Sequence, residues 1–194
     1  MGRGQKTILT MVILVVVLIL SPFLYVKSTY NTLVRMDEQV KAAWAQVENQ
    51  LQRRYDLIPN YVETVKGYAS HEREVFEKVT EARAASLKAR TPREQGEADD
   101  FLQATLKTLF AVVENYPELK ANQNFLSLQG TLEELETEIS RSRRYYNAVV
   151  RDLNTKIKVF PSNLIASLFG IREREFYTLP SEELREPPQV SFAR

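Results

Sequence analysis

The chain has no cysteine, one histidine and six glycines in 194 residues. Without thiols there is no disulfide, no thiolate metal site and no redox pair, and one imidazole cannot build a multi-histidine zinc site. No spacing of the glycines fits a P-loop or a dinucleotide fingerprint, and they are too few for many tight hairpins. Net charge is also nearly missing. Against 26 Lys+Arg stand 25 Asp+Glu, a formal +1, which gives no electrostatic reason to expect nucleic acid as a partner. Acidic residues are absent altogether before Asp37.

What fills that acid-free stretch is apolar. Between Lys6 and Lys27 the 20 residues Thr7 to Val26 carry no charge, and Met11 to Leu20 is apolar throughout. A helix of this length spans about 30 Å, the thickness of a bilayer hydrocarbon core. Pro22 falls near its far end and Tyr25 sits where interfacial aromatics collect. Residues 7–26 therefore read as an uncleaved transmembrane helix in contact with membrane lipid, after a short basic tail, 1–6. A cleaved signal peptide is the alternative, but the nearest small-x-small site, Val26-Lys27-Ser28, has a lysine in its middle. The flanking bases are almost balanced, Arg3 and Lys6 against Lys27, Arg35 and Lys41. A short charged tail is awkward to translocate, so the tail is placed in the cytoplasm and the body outside.

From Tyr30 onward the apolar pattern is helical. Val40, Trp44, Val47 and Leu51 recur in steps of 4, 3 and 4, and Tyr55, Ile58, Val62, Val65 and Ala69 continue the stripe. A second stripe runs through Phe125, Leu128, Leu132, Leu135, Ile139, Tyr146, Val149, Leu153, Ile157 and Phe160. Such stripes mark helices crossing at small angles, as in bundles and coiled coils. Pro59 either turns the chain or kinks one long helix. Thr91-Pro92-Arg93-Glu94 is a capping box with proline at the first helical position, and Asn115-Tyr116-Pro117-Glu118 is another start. Gly130 costs the last helix about 1 kcal/mol relative to Ala, without breaking it. The expected architecture is all-α, a transmembrane helix followed by an antiparallel up-and-down four-helix bundle. Its helices fall near 29–57, 60–89, 95–115 and 118–159, with a short one at 162–169 and an extended tail at 177–194. A mere kink at Pro59 would give a three-helix rod instead.

In such a bundle the fourth helix runs back towards the membrane. Phe160, Leu164, Ile165, Leu168 and Phe169 then share one face of a short helix ending at Gly170. Arg141, Arg143, Arg144, Arg151, Lys156, Lys158, Arg172 and Arg174 lie nearby in sequence. The preferred reading is that this helix folds back and caps the bundle's open end. The sharper one makes Leu164, Ile165, Leu168, Phe169, Arg172 and Arg174 a surface for anionic lipid or a partner.

Catalytic patterns are thin. His71-Glu72 is half of a zinc-protease helix motif whose second histidine is missing. His71 lies in Ser70-His71-Glu72-Arg73-Glu74, which reads as a solvated helix face. Glu133 and Glu136 share a helix face, but a di-iron bundle needs duplicated Glu-x-x-His. Asp37, Arg54 and Asn147 interrupt the apolar stripes, and buried polar residues in bundles more often fix register than do chemistry. No catalytic residue, metal ligand or cofactor is assigned.

Several segments together resemble the LemA family. They are Tyr30-Asn31-x-Leu33-Val34, Asp37-Glu38-Gln39-Val40, Ala43-Trp44-Ala45, Glu48 to Arg54, Asp56-Leu57-Ile58-Pro59-Asn60, Val65-Lys66-Gly67-Tyr68-Ala69-x-His71-Glu72, Tyr116-Pro117-x-Leu119 to Phe125, Tyr146-Asn147 and Phe160-Pro161. The likeness runs from Tyr30 to about Phe176, with Tyr61 where the family usually has leucine. It implies a bacterial plasma-membrane protein with one transmembrane helix and a four-helix bundle, and it favours a turn at Pro59. It implies no catalytic residues. Partners consistent with it are proteins, a second copy or a membrane protease among them. The leading reading is a non-catalytic membrane-tethered scaffold that binds protein partners or organises membrane, with self-association as one route; a membrane-anchored sensor or an enzyme with an unrecognised site is the alternative.

Overall fold

The computed structural model describes residues 3–180, with side chains from residue 11 on except at position 15. Six helices follow in order: α1 (Arg3–Lys66), α2 (Arg73–Lys88), α3 (Pro92–Val113), α4 (Pro117–Lys120), α5 (Gln123–Lys158) and α6 (Ser162–Leu168). There is no strand among the described residues. The expected all-α architecture, a long apolar helix followed by helices that pack together, is what forms. The chain divides into two compact units, one made of residues up to Lys41 with Val149–Arg174, the other of Ala42–Ala148 with Glu175 onward. The expected tail at 177–194 lies outside the described residues beyond Pro180.

The second unit is the bundle. Tyr55 on α1 meets Gln95 at the start of α3, and Tyr61 meets Phe110 near its end, so these two helices run the same way. Tyr61 also touches Phe125 at the start of α5, while Arg54 meets Glu136 and Trp44 meets Tyr146 further along. That order makes α5 antiparallel to α1. Ser86 of α2 reaches the Ala98 carbonyl of α3 across the short connection at 89–91. The stripe residues Val47, Leu51, Tyr55, Ile58, Val62 and Val65 are buried as the periodicity requires, and so are Leu132, Leu135 and Ile139.

Pro59 neither turns nor ends its helix. α1 continues to Lys66, and the reversal falls at residues 67–72, before α2. A proline at 59 withholds the N–H that would bond the Tyr55 carbonyl four residues earlier. The guanidinium of Arg83, on α2, donates to that carbonyl instead at 2.7 Å. The orphaned acceptor is satisfied from another helix, so the boundary expected at 57–60 moves about ten residues on.

The other helix starts are local. Thr91 accepts from Glu94 N–H while the Glu94 carboxylate accepts from the Thr91 N–H, and the helix begins at Pro92 rather than at 95. Pro117 starts only the single turn α4. The long helix begins at Gln123 because Asn122 caps it: its Oδ1 accepts from Asn124 N–H and Phe125 N–H. α5 then passes through Gly130 unbroken.

In the first unit, the large apolar side chains described between Met11 and Leu24 are all exposed. This part of α1 is long and apolar enough to cross a membrane. Further along, Leu33 and Val40 are buried in the same unit as Val150 and Leu153 of α5. After α5, Ser162 donates to the carbonyls of Lys156 and Val159, closing its last turn. α6 ends in a Schellman motif. Gly170 stands at φ 68°, Ile171 N–H bonds the Ala166 carbonyl and Gly170 N–H that of Ser167.

Candidate membrane-facing surface and buried polar cluster

Of the six residues singled out around α6, the four apolar ones separate into three groups. Ile165 is buried, together with Ser162 and Ala166, and seats the helix on its unit. Leu164 and Leu168 point outward, 61% and 75% exposed, and Phe160 before them is 78% exposed. So the apolar stripe of α5 does not reach Phe160, and the short helix both packs inward and leaves an apolar outer face. Phe169 is half exposed, with its ring 4.5 Å from that of Tyr30 on α1.

The two arginines differ as well. Arg174 is held: its guanidinium makes an ion pair with Asp37 at 2.7 Å. Asn154 on α5 grips its backbone twice, accepting from Arg174 N–H and donating to Arg174 C=O. Burial by itself would raise the Asp37 carboxyl, but hydrogen bonds and charge from Arg174 and Lys41 outweigh it and hold its pKa below the ordinary 3.8. Arg172 is exposed and has no ion pair among the described residues. It borders a shallow cavity of about 300 Å³ with Val34, Asp37, Gly170, Ile171 and Arg174. Of the other bases nearby in sequence, Lys158 pairs with Glu173 at 2.7 Å.

In the bundle unit the interrupting residues of the stripes form a buried cluster. The side chains of Arg54 and Asp99 are fully buried against each other, and Arg54 also reaches Glu136 at 2.7 Å. Asp99 accepts from the Tyr177 hydroxyl at 2.9 Å. Tyr177 belongs to the extended segment after α6, and Asn147 clasps its backbone, accepting from its N–H and donating to its C=O. Arg143 lies over the Tyr177 ring, 4.8 Å from its centroid, and Trp44 lies against that ring. Burial pushes the Tyr177 phenol well above its usual range, so it stays a neutral donor. Gly96 permits the approach, since a Cβ there would stand 1.9 Å from the Thr178 carbonyl oxygen.

These contacts tie helices and the extended segment together. Asp99 is enclosed between Arg54 and the Tyr177 hydroxyl, while Glu136, paired with the same arginine, stays half exposed. Among the described residues no group of three or more His, Asp or Glu is arranged to hold a metal ion. His71 is exposed in the reversal between α1 and α2. Arg54, Asp37 and Asn147 were visible in sequence as interruptions of the stripes. Asp99, Asn154 and Gly96 were not, because their partners lie far off in the chain. The only hint at Asn154 is its place one heptad after Asn147.

A model of the LemA family matches residues 43–192 of the chain. The chain belongs to the LemA family. Among its curated relatives is a magnetosome protein, MamQ 1, of Paramagnetospirillum magneticum, 26% identical over 91% of this chain and 74% of the relative. Another is the protein LemA of Metamycoplasma hominis, 26% identical over 84% of this chain and 78% of the relative. MamQ of Magnetospirillum gryphiswaldense is 24% identical over 91% and 74%. Family membership and the apolar helix agree on a membrane-associated protein. The match reaches past residue 180, so the LemA-family likeness takes in the extended segment that carries Tyr177.

Proposed function

We propose that this LemA-family chain is a single-pass, non-catalytic helical scaffold of the bacterial cell envelope that holds protein partners, itself included, at the plasma membrane. Its tail lies in the cytoplasm and its bundle on the extracytoplasmic side. The enclosed Arg54–Asp99 pair carries this reading, because the bundle's strongest polar groups are used to join helices. What the bundle unit offers outward is grooves. One, of about 540 Å³, is floored by Ala104, Leu106 and Phe110 and edged by Asp100, Gln103, Lys107 and Glu136. Phe101, on the same helix, is exposed.

A photocrosslinking residue at Gln103 or Lys107 of the full chain, in cells, tests the scaffold role. Discrete adducts with a membrane protein or with a second copy are expected. Absence of adducts, together with a hydrolytic activity lost on His71→Ala, overturns it. A C-terminal alkaline phosphatase fusion is expected to be active, and activity of a cytoplasmic reporter instead reverses the sidedness.

A further inference from the structure

Four large apolar side chains around α6 are left uncovered by the chain: Val159, Phe160, Leu164 and Leu168 are 44%, 78%, 61% and 75% exposed. The opposite side of the same helix is seated through Ser162, Ile165 and Ala166. The outer face is therefore a fixed surface. It is far smaller than the roughly 20–30 residues a side of a standard protein interface.

Position says what covers it. Phe169, next to Leu168, lies against Tyr30. Tyr30 follows Lys27, the first charge after the apolar span, by three residues, or about 4.5 Å of helix rise. Charge says the same. The soluble part of this unit, residues 27–41 and 149–174, holds eight Lys and Arg against four Asp and Glu, whereas the whole chain is nearly neutral. Lys27, Arg35, Lys156 and Arg172 have no acidic partner among the described residues, and Arg172 borders the shallow cavity next to the Schellman turn.

We propose that residues 159–169 form a second, interfacial contact with the bilayer that α1 crosses, selective for anionic headgroups through Lys156 and Arg172. A seven-residue helix rises only about 10 Å, too short to cross but enough to sink one face into the headgroup–acyl boundary. Basic residues beside such a face draw it to anionic lipid. The inner face stays packed, so the contact requires no unfolding. This inference rests on α1 spanning the membrane, and the experiment separates the two.

Because the chain has no cysteine, a single introduced thiol can be labelled without background. The full chain carrying Leu168→Cys or Leu164→Cys, labelled with an NBD fluorophore, is reconstituted in phosphatidylcholine vesicles with or without phosphatidylglycerol. Leu14→Cys in the apolar span and Glu134→Cys on the exposed face of α5 are the references. The label at 168 or 164 is expected to shift to the blue and to lose intensity with brominated acyl chains, more so with phosphatidylglycerol, while the label at 134 does neither. Arg172→Gln should raise the phosphatidylglycerol fraction needed for half-maximal quenching. A solvent-like label at 168 beside a quenched label at 14 refutes the interfacial contact and leaves the anchor standing. A blue shift without bromolipid quenching refutes it too, since protein then covers the face. An unquenched label at 14 removes the transmembrane reading along with it. Equal quenching in neutral and anionic vesicles overturns the lipid selectivity.

Discussion

Asp99→Ala is the substitution that asks most of the bundle. It strips the carboxylate from a pair whose two side chains are fully buried, leaving Arg54 to the half-exposed Glu136. Breaking a buried pair from one side costs about 3–5 kcal/mol, because a charge is left in low dielectric. The Tyr177 hydroxyl also loses its acceptor, worth about 1–3 kcal/mol if it stays buried. Glu136 offsets part of the first loss and a small shift of Tyr177 offsets part of the second, so the expected total is about 4 kcal/mol. For a unit of this size that is a fall of about 8–16 °C in Tm. The assay is built into the chain. Its single tryptophan, Trp44, packs 5.2 Å from Tyr146 and 6.2 Å from Tyr177, so its emission reports the bundle part of α1 and not the apolar span at 7–26. The full chain in lipid nanodiscs is heated while this emission is followed. Arg54→Met alone should cost a similar amount, whereas Arg54→Met with Asp99→Leu should return to within about 2 kcal/mol of the parent. If Asp99→Ala costs less than about 1 kcal/mol, the pair behaves as an exposed one and the reasoning fails.

Three further outcomes follow from single contacts. Gly96→Ala places a methyl group on the Thr178 carbonyl and should loosen the segment from Glu175 to Pro180, seen as faster proteolysis there with α3 intact. Arg83→Met should destabilise the bundle by about 1–2 kcal/mol by orphaning the Tyr55 carbonyl, and much less in a Pro59→Ala background, where a backbone N–H fills the gap. Equal costs in both backgrounds would show that Arg83 acts elsewhere. Asp37 has a lowered pKa, so its ionised form contributes stability that is present above the ordinary value of 3.8 and lost as pH falls through the folded value. Asp37→Asn should therefore be less stable than the parent at pH 7, and the two unfolding curves should converge in the acid limb below pH 3.8.

Much of the architecture is written in local chemistry. The charge-free stretch at 7–26, the 3–4 spacing of Val47, Leu51, Ile58 and Val62, the capping box at Thr91 and the stop at Gly170 each depend on neighbours within one or two turns. Their outcome could be read without a fold. Pro59 could not, because whether a proline ends a helix depends on where the freed carbonyl finds a donor. Here the donor is Arg83, 28 residues beyond Tyr55. The choice between Pro117 and Asn122 as the start of α5 turned on which side chain reached the first free N–H groups.

The candidate surface divides the same way. Sequence periodicity put Phe160, Leu164, Ile165, Leu168 and Phe169 on one short helix and grouped bases around it. Only the packed structure decided that Ile165 seats the helix while Leu164 and Leu168 face outward, and that Arg174 is tied to Asp37 while Arg172 is not. Likewise residues 177–194 read only as an extended tail, and it took the packed structure to bury Tyr177, its hydroxyl on Asp99 and its backbone on Asn147. By itself the sequence determined an acid-free apolar helix, a helical body, and a chain with no thiol and one imidazole. The tertiary structure decided which polar residues are buried partners and which apolar ones stay exposed. Burial is a property of what the rest of the chain brings alongside, and composition and spacing carry no record of that.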